Sequence, residues 1–94
     1  MKRDAAFDFS DLTLALKTGR EVEFCYESRY YSITNSRGSW NLCEDTEVGS
    51  VLLQTLCSTA ETAILAEKAG KIALGGMTVR RIFDEGCYTA LCIL

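Results

Sequence analysis

From Val22 onward, apolar residues fall at every second position. Val22, Phe24 and Tyr26 alternate with Glu21, Glu23, Cys25 and Glu27; Tyr31 and Ile33 carry the pattern on, and Trp40 and Leu42 complete it. A period of two sends successive side chains to opposite faces of a pleated strand. Such a run can hide its aromatics only as one face of a sheet. A tight turn at Ser28-Arg29 would set Tyr26 opposite Tyr31 and Phe24 opposite Ile33, and "NSRGS" offers Asn and Gly for positive φ. The pattern predicts a three-stranded antiparallel meander with an aromatic inner face.

The segments on either side follow other periods. In "FDFSDLTLALKTGR", Leu12, Ala15 and Leu16 form a helical stripe. Ser10 is the expected N-cap, with Phe9 and Leu14 stapled around it; Asp8 is the competing cap, and Gly19 is the stop. After the polar "EDTEVGS", "VLLQTLC" reads as a fourth strand. A single helix from Ser50 is the rival, since Leu53, Cys57, Ala60 and Ile64 also share a helical face. Ser58 and Glu61 match the S-x-x-E capping box, which favours a strand followed by a helix from Ser58 to Gly70. "KIALGGMTVRRIFDEG" gives a short strand, a Gly-Gly turn and a helix capped by Thr78 and stopped by Gly86, with Met77 and Ile82 flanking the cap. Its arginines precede its acids, against the helix dipole, and Arg80–Asp84 and Arg81–Glu85 pairs would offset that. The closing "CYTALCIL", apolar at both parities, reads as a strand covered on both faces.

The expected fold is α+β: an antiparallel sheet, a meander plus additional strands, with about three helices on one face. The 94 residues suffice for one small domain, and at 48% hydrophobic and 24% charged the chain belongs to the folded class. "TGREVEFCY", "YYSIT", "WNLCE" and "QTLCS", followed by "GGMTVRRIFDE", resemble a group of short uncharacterised proteins from Gram-positive bacteria and their mobile elements. The resemblance implies the same helix-then-sheet order and carries no established activity.

Composition excludes more than it assigns. There is no histidine, which removes the commonest general base and transition-metal ligand, and no cofactor or metal is expected. Five cysteines, an odd number without a C-x-x-C pair, read as reduced structural thiols. Cys25 and Cys43 would be the most exposed, but their Glu neighbours disfavour a thiolate. The cluster Cys43, Glu44, Asp45 and Glu47 lacks the spacing of a calcium loop and reads as a solvated turn. Net charge is −3, and the only adjacent basic pairs are Lys2-Arg3 and Arg80-Arg81, so nucleic acid is not an expected partner. "MKRDAAFDFSD" has no apolar run of the signal-peptide kind. The uncharged stretch Val48 to Ala60 is short of a membrane span. A cytoplasmic protein with no membrane partner is expected.

Two surfaces remain as candidates. Tyr30, Cys25, Ser32, Asn41 and Cys43 fall on the outer parity of the sheet and form a candidate interaction surface. Gly75 and Gly76, with Arg80 and Arg81 on the helix after them, form a candidate anion site. The excess apolar surface of "VLLQTLC" and "CYTALCIL" favours an interaction module that associates through its sheet, with itself or another protein. Small-ligand or anion binding at the glycine turn is the alternative.

Overall fold

The computed structural model describes residues 7–94; the Lys2-Arg3 pair lies outside them. Helix α1 (Phe9–Lys17) leads into strands β1 (Val22–Tyr26), β2 (Arg29–Ser36), β3 (Ser39–Thr46) and β4 (Gly49–Ser58). A 3-10 turn (Thr62–Ile64) and helix α2 (Leu65–Gly70) follow, then β5 (Ala73–Leu74), β6 (Met77–Thr78), α3 (Val79–Asp84) and β7 (Thr89–Ile93). The five long strands make one antiparallel sheet in the order β4-β3-β2-β1-β7, so the meander has four strands and the chain's last strand returns beside β1. The two-stranded β5-β6 hairpin stands apart from it. The α+β class with three helices is as the sequence predicts.

The period-two residues do form the floor of the core. Val22, Phe24, Ile33, Trp40 and Leu42 are buried to within 1% of complete, against Leu12 and Leu16 of α1, Leu65 and Ala69 of α2, and Val79, Ile82 and Phe83 of α3. Phe83 meets Phe24 edge-on, with ring centres 5.0 Å apart, and stacks on Tyr88 at 4.8 Å. Each such side chain withdrawn from water contributes about 1.5–3 kcal/mol. The indole N–H of Trp40 is buried without an acceptor, a cost its burial must outweigh.

Local details depart from the expected ones for identifiable reasons. Asp8, not Ser10, caps α1: its carboxylate accepts from the Asp11 amide at 3.1 Å, and Asp11 reciprocates at 3.0 Å. The Ser10 hydroxyl donates to Asp8 as well, and together with the Asp11 amide it holds the Asp8 carboxyl below the usual range. Leu14 is exposed instead of stapled to Phe9. The first hairpin turns at Glu27-Ser28, one residue earlier than expected. Both carry positive φ (50° and 67°), the twist that a two-residue hairpin favours. Phe24 therefore faces Tyr31 and Tyr26 faces Arg29; the register moves by two residues, so every side chain keeps its face. The second hairpin uses Arg37 and Gly38 at positive φ, not Asn35.

"VLLQTLC" is a strand, and it takes more of the chain than expected. β4 runs through Ser58, so the helix cannot start there; the Ser58 hydroxyl donates to the Glu61 carboxylate at 3.1 Å and α2 begins only at Leu65. Gly70 closes α2 where an added Cβ would lie 2.6 Å from the Phe9 ring, which sets how closely α1 and α2 approach. Thr78 caps α3 and both predicted i, i+4 pairs form, Arg80–Asp84 at 3.8 Å and Arg81–Glu85 at 2.7 Å. Asp84 has a second task that explains an acid at this end: it accepts the Phe9 amide at 3.1 Å, tying α3 to the start of α1. The largest correction concerns β7. It is an outer strand of the sheet with Thr89, Ala90 and Cys92 exposed, not a strand covered on both faces, because the helices all lie on the other side.

Candidate functional site

With the helices on the aromatic face, the opposite face of the sheet is where the outer-parity residues gather. Strand pairing sets them in cross-strand rows. One row runs Cys92, Glu23, Ser32, Cys43, Leu52; the next runs Thr89, Cys25, Tyr30, Asp45, Ser50. Ser32, Asn41 and Cys43 line one open groove of about 760 Å³, together with Glu23, Asp45 and Leu52. Tyr30 lines an adjoining depression that shares Glu23 and Asp45 and ends at Glu47. Four of the five residues assigned to this surface thus border two connected hollows.

Burial within that set is uneven. Tyr30 is exposed as expected, at 56%. Cys25, expected to be exposed, is 8% accessible, since its position is flanked by Tyr30 on β2 and Thr89 on β7. Ser32 is 3% accessible, on a central strand between Glu23 of β1 and Cys43 of β3. The exposed thiols are instead Cys87 and Cys92.

The face carries hydroxyl, amide, thiol and carboxylate groups. The Ser32 hydroxyl donates to Asp45 Oδ1 at 3.3 Å, and Ser50 donates to the same oxygen at 2.7 Å. A carboxylate engaged by two hydroxyls and paired with no imidazole is a poor base for activating serine. Burial and the neighbouring Asp45 push the Cys43 thiol up, with Thr34 opposing; burial and Glu61 do the same to Cys57. Such thiols stay protonated at neutral pH. Among the described residues no three Cys, Asp or Glu side chains converge to hold a metal ion. Alternation alone separates the "CEDTE" residues, since Cys43 and Asp45 take one parity and Glu44 the other.

At the glycine turn, Gly75 adopts φ 70° and Gly76 follows it between β5 and β6. Arg80 bonds Asp84 and lies over the Phe9 ring at 5.3 Å, while Arg81 holds Glu85. The Arg81 amide is taken by Thr78 and the Val79 amide by the Ile72 carbonyl. Glu27 brings its carboxylate to 3.4 Å from where a Gly75 side chain would begin. The hollow beside Gly75 is lined by Tyr26, Glu27 and Leu74 and by neither Arg80 nor Arg81; both cations and the Arg81 amide already serve internal acceptors, and an acid stands beside the turn.

The feature that sequence reasoning left unlocated is the outer edge of β4. All seven residues from Gly49 to Thr55 are exposed, among them Val51, Leu52 and Leu53, and β4 ends the sheet. The signal was the uncharged run from Val48 to Ala60, whose "VLLQTLC" is read above as excess apolar surface without being placed at a sheet edge. No helix among the described residues is long and apolar enough to cross a membrane. Compared with known proteins, the chain matches no family model, no curated protein and no solved structure.

Proposed function

We propose that this chain is a small non-enzymatic interaction module that acts through its sheet and associates as a homodimer in the cytoplasm. The observation that carries the reading is the β4 edge. It is the longest strand of the sheet, it lies outermost, and it contains neither a charged residue nor a proline. Proteins that must stay monomeric guard such edges with lysine, proline or brevity. Here the edge offers a row of backbone donors and acceptors beside three exposed aliphatic side chains, the two ingredients of strand addition.

Support for a binding role also comes from the open face, where Tyr30 and a set of hydroxyl, amide and carboxylate groups line connected hollows. Aromatic residues at the centre of a polar patch are common in protein contacts. The resemblance to short bacterial proteins of mobile elements fits a module of this size without adding a chemistry. Sedimentation equilibrium across a wide concentration range tests the reading. A reversible dimer is expected, and a chain that stays monomeric at high micromolar concentration would sink it.

A further inference from the structure

Apart from association through the sheet, we infer a separate binding site. The hollow between the β1–β2 hairpin and the β5–β6 hairpin takes a primary ammonium group, held by the Glu27 carboxylate and the Tyr26 and Tyr31 hydroxyls. Sequence alone suggests an anion at this glycine turn; the groups that the fold brings here call for the opposite charge.

The hollow has a volume of about 280 Å³ and is lined by Tyr26, Glu27, Arg29, Tyr31, Leu74 and Gly75. At roughly 30 Å³ for each water in the liquid, it has room for a small amine or one side chain. Its walls come from two hairpins distant in sequence, so only the folded chain assembles it.

The first observation is an unused hydroxyl. Tyr31 is 6% accessible and stacks on Phe24 with ring centres 5.6 Å apart, yet its hydroxyl has no hydrogen-bond partner among the described residues. Buried polar groups are nearly always bonded, so such a hydroxyl at the wall of a hollow has its bonding capacity left for a ligand. Burial first and Glu44 after it raise the Tyr31 phenol, with Arg29 opposing; burial and then Glu27 raise that of Tyr26. Both are therefore neutral hydroxyls with oxygen lone pairs to offer.

The second observation is charge. Glu27 joins no ion pair among the described residues. Its Oε1 lies 3.4 Å from where a Gly75 side chain would begin, so the glycine leaves that carboxylate open to the hollow. The one cation of the lining, Arg29, is engaged by Glu44 at 3.6 Å. Two carboxylates thus stand against one guanidinium, and an anion would have to displace Glu44 and then face Glu27. An ammonium group supplies the missing positive charge, and its three N–H donors match one carboxylate and two hydroxyl oxygens.

The test is an NMR titration of the full chain in an amine-free buffer, reading the amides of residues 27–31 and 74–76. n-Butylammonium stands for a free amine, a capped Gly-Lys-Gly peptide for a lysine side chain, and butyrate for an anion. Saturable shifts at both sets of amides are expected with at least one ammonium probe, and the tighter of the two names the source. Glu27→Gln, at an exposed position, should fold normally and weaken binding about tenfold or more. Tyr31→Phe removes only the unused hydroxyl; it should leave the melting temperature unchanged and weaken binding about threefold or more. Butyrate binding as tightly as either ammonium probe would overturn the site, as would no saturation by either probe. So would an unaltered affinity in either variant, or a lower melting temperature in Tyr31→Phe, which would give its hydroxyl an internal partner. None of these outcomes bears on association through the sheet, which sedimentation reads separately.

Discussion

The two edges of the sheet were built from similar material and finished differently. β4 and β7 are both uncharged and rich in small and aliphatic residues. β7 is short, bulged at Ala90, and anchored at its start: the Tyr88 ring stacks on Phe83 and its hydroxyl donates to the Phe7 carbonyl at 2.5 Å. Its end is tied as well, where the Leu94 amide donates to the Glu21 carbonyl at 2.7 Å. β4 is longer and bulged in its turn at Leu53 and Leu56; it pairs with β3 throughout, but only Leu56 and Cys57 at its far end are buried, and its first seven residues are exposed. The lesson is that apolar sequence on an edge has two destinations. It either serves the fold from within or is left available to something outside it.

Three substitutions can break or sharpen that comparison. The largest effect should come from Leu56→Ala, which empties a site 1% accessible at the anchored end of β4. A loss of about 2–5 kcal/mol in urea denaturation is expected. A loss below that range would mean that β4 is held by its backbone ladder and not by this plug. The next is Tyr88→Leu, which removes the stacked ring and the hydroxyl that fasten β7. It should cost about 1–2 kcal/mol, and a negligible cost would mean that β7 is no better secured than the free half of β4. The smallest is Ala90→Gly. Relief of the left-handed backbone at φ 52° should raise stability by about 0.5–1 kcal/mol in thermal melts. A decrease would show that the alanine side chain matters more to this edge than its backbone strain.

Most of the sheet was legible because its evidence is periodic. Alternation at Val22–Tyr26, Tyr31–Ile33 and Trp40–Leu42 assigns faces whatever the register, which is why a turn displaced from Ser28-Arg29 to Glu27-Ser28 changed partners and left Phe24, Tyr26, Tyr31 and Trp40 in the core. The i, i+4 ion pairs of α3 and the Thr78 cap were legible for the same reason, since both depend on separations within a single turn of helix. Sequence failed at competitions between neighbours. Ser58-x-x-Glu61 is a capping box only if the chain is free to begin a helix there, and pairing with Ser39 of β3 takes Ser58 into the strand first.

The candidate surface divides along the same line. That Tyr30, Ser32, Asn41 and Cys43 share a face followed from parity. That Ser32 and Cys25 on that face are nearly closed off, while Cys92 is open, followed from which strands flank them, and no pattern within one strand contains that information. Alternation and capping chemistry act between residues a few positions apart, so the sequence by itself determined the first three strands with their inner faces, helices α1 and α3, and the lack of histidine. The order of the strands depends on contacts between distant segments. Only the tertiary structure decided that the apolar endings "VLLQTLC" and "CYTALCIL" stand at opposite margins of one sheet, one moored to the core and the other half free.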